Sequence, residues 1–131
     1  MVTTLSVTPI DPSSVPEASG GYHNAVSVEG AQRLLFISGQ IPQTPDGSVP
    51  ADPEDQCRLV WTNIEAVLAE AGMTVRNLMK VTTFLADRKH AAVNTKVRNE
   101  ALDGHRPALT VIVTGIFDPS WIIEIEAIAA A

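Results

Sequence analysis

Cysteine is nearly missing from this 131-residue chain: Cys57 stands alone. One cysteine excludes an internal disulfide framework and any CxxC metal or redox motif, and it fits a reducing, cytoplasmic setting. Positive charge is also scarce. Nine Lys and Arg face fifteen Asp and Glu, for a formal net charge of −6. That balance disfavours nucleic-acid binding, which needs cations to neutralise phosphates. No apolar run approaches the ~18 residues of a membrane-spanning helix. The opening MVTTLSVTPI carries neither the basic segment nor the long apolar segment of a secretory leader. His23, His90 and His105 have no metal-ligand spacing with one another or with Cys57, so no metal is expected. P-loop, GxGxxG, HExxH and GxSxG motifs are missing as well. Aromatic residues make up 5% of the chain, and Trp61 and Trp121 lie far from any basic run on which bases could stack.

What remains is globular. The chain is 45% apolar and 18% charged, and its length suits one domain spanning residues 1–131. A first strand is expected at Thr3 to Val7, followed by a loop from Pro9 through Pro12 and Pro16 to Gly20-Gly21. Asn24 to Val28 reads as a strand that turns at Glu29-Gly30 and returns over Arg33 to Ser38. In the return, Leu34, Leu35, Phe36 and Ile37 are apolar on both faces, as in a strand covered on both sides. A helix starts at Asp52 as N-cap with Pro53 in its first position. Its buried stripe is Cys57, Val60, Trp61, Ile64, Val67, Leu68 and Ala71, and Gly72 ends it. Cys57 therefore reads as a small core residue. Lys80 to Leu85 is a strand, and Asp87 is placed to cap a second helix with Val93, Val97 and Ala101 on one face. Leu109 to Thr114 and Ile122 to Ile128 complete the order βββαβαββ. Such an order gives an α+β fold: a single mixed β-sheet with two helices on one face. Nothing in the chain is left to cover the other face, so self-association through the sheet is expected.

Candidate chemistry gathers near the ends of strands. Along Ile123 to Ala129, side chains alternate. Ile123, Ile125 and Ala127 take one face, and Glu124 and Glu126 take the other, about 6.6 Å apart. Burial would raise the pKa of one carboxyl and fit it for acid–base work; taken alone, the pair reads as solvent-facing, as most glutamates are. Ser38-Gly39 ends a buried strand, where glycine lets a ligand approach the backbone; a plain strand-ending turn is the commoner explanation. Tyr22, after Gly20-Gly21, reads on its own as a packing residue, and His23 beside it could line a pocket. His90 and His105 read as surface residues.

Together these segments resemble the RidA family, also called the YjgF family. GGYHNAV around Tyr22, FISGQIP (36–42), EAGM (70–73), KVTTFLAD (80–87), AAVN (91–94), HRPA (105–108) and EIEAIA (124–129) match it in order. The resemblance implies a chorismate-mutase-like or RidA-like fold assembled as a homotrimer, sheets inside and helices out, with clefts between subunits. It implies deamination of small enamines and imines, such as 2-iminopropanoate, without a cofactor. Within that cleft, Glu124 would position water or carry a proton; Tyr22, Ser38, Gly39 and, more weakly, Asn94 fall on binding positions. One departure stands out. Active deaminases of the family carry an arginine after Pro-Ala that grips the substrate carboxylate; here Pro107-Ala108 is followed by Leu109. Gly21, His23 and Asn24 depart as well. The expectation is a hydrolase for a less anionic small molecule. Its rivals are a non-catalytic ligand-binding trimer and a 2-iminopropanoate deaminase with a substitute anchor, Arg106 or His23. The ribonuclease activity ascribed to some members fits poorly with a charge of −6.

Overall fold

The computed structural model describes residues 4–131. Strands β1 (Ser6–Ile10), β2 (Ala25–Glu29) and β3 (Leu34–Gln40) precede helix α1 (Pro53–Glu70). Strand β4 (Leu78–Leu85), helix α2 (Ala91–Leu102), strand β5 (Ala108–Val113) and strand β6 (Ile123–Ala130) follow. This is the expected order of strands and helices. The central sheet runs β3-β6-β4-β5. β6 is antiparallel to both neighbours, and β4 is parallel to β5. β3 and β4 therefore run the same way, and each of their connections to the next parallel strand needs a helix.

Alternation along β6 separates the two sides. Ile123, Ile125, Ala127 and Ala129 are buried, and they join Val81 and Leu85 of β4 with Cys57, Val60, Trp61, Ile64 and Leu68 of α1 in one core. Val97 and Leu102 of α2 complete it, with Val93 and Ala101 packed at its margin. The side chain of Asp52 accepts the Asp55 N–H at 3.1 Å and caps α1. Gly72 takes φ 72°, the left-handed conformation that ends the helix. Among the described residues, no helix is long and apolar enough to cross a membrane.

Four expectations need correction. β2 does not form a hairpin with β3: it pairs with β1, and β3 pairs with β6. The apolar residues of β3 pair with those of β6 in the four-stranded central sheet, while β1 and β2 form a separate two-stranded sheet. Pro9 lies inside β1 rather than in the loop, and the expected strand's residue 3 is outside the described region. Asp87 caps a short 3₁₀ turn, Arg88–His90, by accepting the Lys89 N–H at 2.8 Å; α2 begins only at Ala91. His90 is buried, and His105 is half-buried with its Nε2 2.7 Å from the Leu78 carbonyl. Both histidines pack where turns fold back on the core, so neither is a surface residue.

Candidate functional site

Glu124 owes its position to both flanks. Upstream, buried Gln56 of α1 clamps the start of β6: its Nε2 donates to Ser120 O at 2.9 Å, and its Oε1 accepts the Ile122 N–H at 2.8 Å. Across the sheet, the β3–β6 register shifts between Ile37 and Gln40, a bulge occupied by Ser38 and Gly39. The Glu124 side chain folds over this bulge. A Cβ built on Gly39 would fall 2.0 Å from Glu124 Oε2 and 2.8 Å from its carboxyl carbon. Only glycine leaves room for the carboxylate there. Glu124 is half-buried, while Glu126 is exposed. The two glutamates thus share a face and differ in setting. Glu126 lines a shallow hollow of about 330 Å³ with Phe36, Ser38, Lys80 and Thr82. Lys80 Nζ donates to Thr110 Oγ1 at 2.7 Å across β4 and β5.

Tyr22, His23 and Leu109 gather elsewhere. The His23 N–H donates to Pro107 O at 3.1 Å, and His23 bridges to Ala108, so this segment runs beside the start of β5. Leu109 pairs with Val81 and packs against the core on the helix side of the sheet. Glu124 pairs with Phe84 on the open side. Two strand spacings and three residues of offset put Leu109 and Glu124 about 14 Å apart, on opposite faces. Within one chain, then, Glu124 lies against Gly39, Ser38 lines the neighbouring hollow with Glu126, and Tyr22, His23 and Leu109 form another group. Asn94 belongs with neither. It lies buried in α2, and its Oδ1 has no hydrogen-bond partner among the described residues.

Arg98 is a residue the sequence reading missed. It sits one turn after Asn94 on the buried face of α2 and is only 4% exposed. Its Nη2 donates to Gly20 O at 2.7 Å, while its Nε is unpartnered. Burial pulls its pKa down, and nearby Tyr22 opposes that. The signal was available: positions 94, 97, 98 and 101 share one helical face, so Asn94 and Arg98 interrupt an apolar stripe. Asp11 was also missed. Its carboxylate lies 2.6 Å from His23 Nδ1, in a hollow of about 560 Å³ that Tyr22 and Arg106 also line. Cys57 is fully buried, and burial pushes its thiol up to about 11, as for an inert core residue. Among the described residues, no group of three or more His, Cys, Asp or Glu side chains could hold a metal ion.

Comparison with known proteins adds an independent line. The family model described as Endoribonuclease L-PSP matches residues 12–131. Protein HMF1 of Saccharomyces cerevisiae is 37% identical over 131 residues, covering 99% of this chain and 98% of that protein. TdcF of Escherichia coli, whose name assigns it provisionally to the reactive intermediate deaminases, is 33% identical over 124 residues, 92% of this chain and 94% of its own. Its crystal structure holds bound serine and superposes with a TM-score of 0.71 over 95% of this chain and 98% of that one, at 33% identity. The structure of YyfB from Yersinia pestis, described as a Rid family protein of unknown function, gives a TM-score of 0.85 at 26% identity, covering 95% and 98%.

Proposed function

The chain belongs to the RidA (Endoribonuclease L-PSP) family, and on that premise we propose that it is a cofactor-free hydrolase of small imines and enamines, working in clefts between the copies of a homotrimer. The observation that carries this reading is the Glu124 carboxylate lying over Gly39, where no other residue type leaves space for it. The carboxylate takes a proton from water as its oxygen adds to the imine carbon, and returns the proton to the nitrogen that leaves as ammonia. Ser38 and the Gly39 backbone supply polar contacts beside it. Tyr22 and Leu109 lie across the sheet from Glu124 in their own chain, so a second copy must bring them to it. The open face supports such a contact: Leu34 is 60% exposed and Phe36 71% exposed on its rim. The protein works in the cytoplasm as one domain with a small-molecule substrate. Leucine at position 109 offers no donor to a substrate carboxylate, so the preferred imine carries less negative charge than 2-iminopropanoate.

A second reading, in which 2-iminopropanoate itself is the substrate, draws support from Arg98, whose Nε is unpartnered beside Tyr22. One set of assays separates the two. Freshly generated imines are mixed with the protein, and their loss is followed by semicarbazide trapping. Glu124→Gln should bring turnover to background in a folded trimer, while Glu126→Gln should lose less than about threefold. Equal loss from both would show that Glu124 has no special role. Leu109→Arg should raise activity on 2-iminopropanoate about tenfold or more, since ~1.4 kcal/mol of restored charge pairing suffices. Strong native activity on that substrate, lost in Arg98→Gln, would favour the second reading.

A further inference from the structure

His23 is not a lone histidine. Its Nδ1 lies 2.6 Å from Asp11 Oδ2, and the other oxygen of that carboxylate, Oδ1, accepts the Asn24 N–H at 2.7 Å. The Asn24 side chain closes the loop by donating to Pro16 O at 3.2 Å. Two donors thus converge on Asp11, and the Asn24 N–H, followed by His23, holds its carboxyl below the usual range. An ionised carboxylate only accepts, so the hydrogen it meets belongs to His23 Nδ1. Nε2 of the neutral ring is then left with its lone pair, the state in which an imidazole takes a proton.

The position of this dyad matters. His23 follows Tyr22 directly, its backbone is joined to Pro107 and Ala108, and the hollow beside it also holds Arg106 and Glu17. This is the half of the proposed cleft that carries Leu109 and lacks Glu124. The His23 side chain is 25% exposed, so a small molecule can reach it. We propose that His23, oriented by Asp11, is a second proton-transfer residue of the imine hydrolysis, with Asp11 as its positioning residue. This proposal rests on the reading of the previous section and adds a group to it.

The chemistry needs two such groups. Adding water to an iminium carbon forms the C–O bond and moves the C=N π pair onto nitrogen; one proton of the water goes to Glu124. Glu124 then protonates the amine nitrogen. For ammonia to leave with the C–N bonding pair, the carbinol hydroxyl must give up its proton as the C=O forms. His23 Nε2 accepts that proton and releases it to solvent. Iminium and water become ketone or ketoacid, ammonia and one proton, so atoms and charge balance.

The test uses the full chain and an imine without a carboxylate, generated from cyclohexylamine by a flavin-dependent amine oxidase, again with semicarbazide trapping. His23→Asn and Asp11→Asn should each lower kcat about ten- to a hundredfold with KM within about twofold. Added imidazole should restore part of the kcat of His23→Ala. ¹⁵N-histidine NMR should show the Nδ1–H tautomer in the native protein and the Nε2–H tautomer in Asp11→Asn, where the new amide donates to Nδ1. A merely structural contact would move neither the tautomer-linked kcat nor the imidazole response. Native kcat in folded His23→Asn, with Glu124→Gln inactive, would overturn this proposal and leave the hydrolase reading standing. A native protein no faster than Glu124→Gln on this imine and on 2-iminopropanoate would overturn both.

Discussion

On one face of the central sheet, Val81, Leu85, Ile123 and Ile125 are fully buried beneath two helices. On the other, the same strands present Lys80, Thr82, Phe84, Glu124, Glu126 and Ile128, none of them fully buried, beside an exposed Phe36. A face meant only for water would not carry Leu34 and Phe36 at its rim, and a face meant only for packing would not carry two carboxylates and a lysine. The difference teaches that the packed core and the polar, half-buried side chains lie on opposite sides of one sheet. β6 serves both, because its side chains alternate.

The harshest way to break this comparison is to open the covered face. Ile125→Ala removes a fully buried side chain from the core and should cost about 3 kcal/mol, read from the urea midpoint. A cost below about 1 kcal/mol would show that the helix side is not the main store of stability. Next comes the open face. Phe36→Asp puts a charge where Phe36 is 71% exposed in the single chain, so the fold should survive. In the proposed trimer that position is covered, and light scattering should fall from about 42 kDa, three times 14.0 kDa, to 14.0 kDa. A native protein that scatters only as 14.0 kDa particles would remove the cleft altogether.

Gly39→Ala sharpens the comparison within the open face. The new methyl would meet the Glu124 carboxylate, which must swing away. Turnover should fall about tenfold or more, equivalent to ~1.4 kcal/mol in the barrier, while light scattering stays unchanged. Gly72→Ala meets no atom within 4 Å, but its φ of 72° makes it strained. It should lower stability by about 1 kcal/mol without a specific effect on turnover. If the two variants have the same profile, the Gly39 effect is a general loss of stability rather than displacement of Glu124.

How much of this was legible in sequence depends on whether the signal was local. The period-two alternation of Ile123 to Ala129 told which glutamates share a face, and the Asp52-Pro53 start of α1 was plain from its capping chemistry. Strand partners were harder. The Glu29-Gly30 turn was read as a hairpin, yet pairing is decided by what each strand can bury, and β3 found β6 instead. The asymmetry between Glu124 and Glu126 was hidden from residue spacing alone, because it depends on a bulge in another strand over Gly39. Asp11 and His23, twelve residues apart across a proline-rich loop, carry no periodic signal. Arg98 did carry one and was passed over, since a charged residue on a helix ordinarily faces water.

Cys57 offers the finest test of the covered face, because its effect is confined to alkaline pH. Burial, aided by the charge of Glu54, raises its thiol from 9.0 to about 11. Below pH 9 the folded and unfolded chains both keep the thiol proton, so the stabilisation is whole. Between pH 9 and about 11 the unfolded thiol loses its proton while the folded one retains it, and the unfolded state gains. Native stability should therefore fall by roughly 1 kcal/mol by pH 10 beyond whatever other groups contribute. Cys57→Ala isolates that share. The variant loses some packing at every pH, but the difference between it and the native protein should narrow from pH 8 to pH 10 in urea titrations. A difference that stays constant would mean that solvent reaches the thiol, and that the core beneath the sheet opens more readily than its burial indicates.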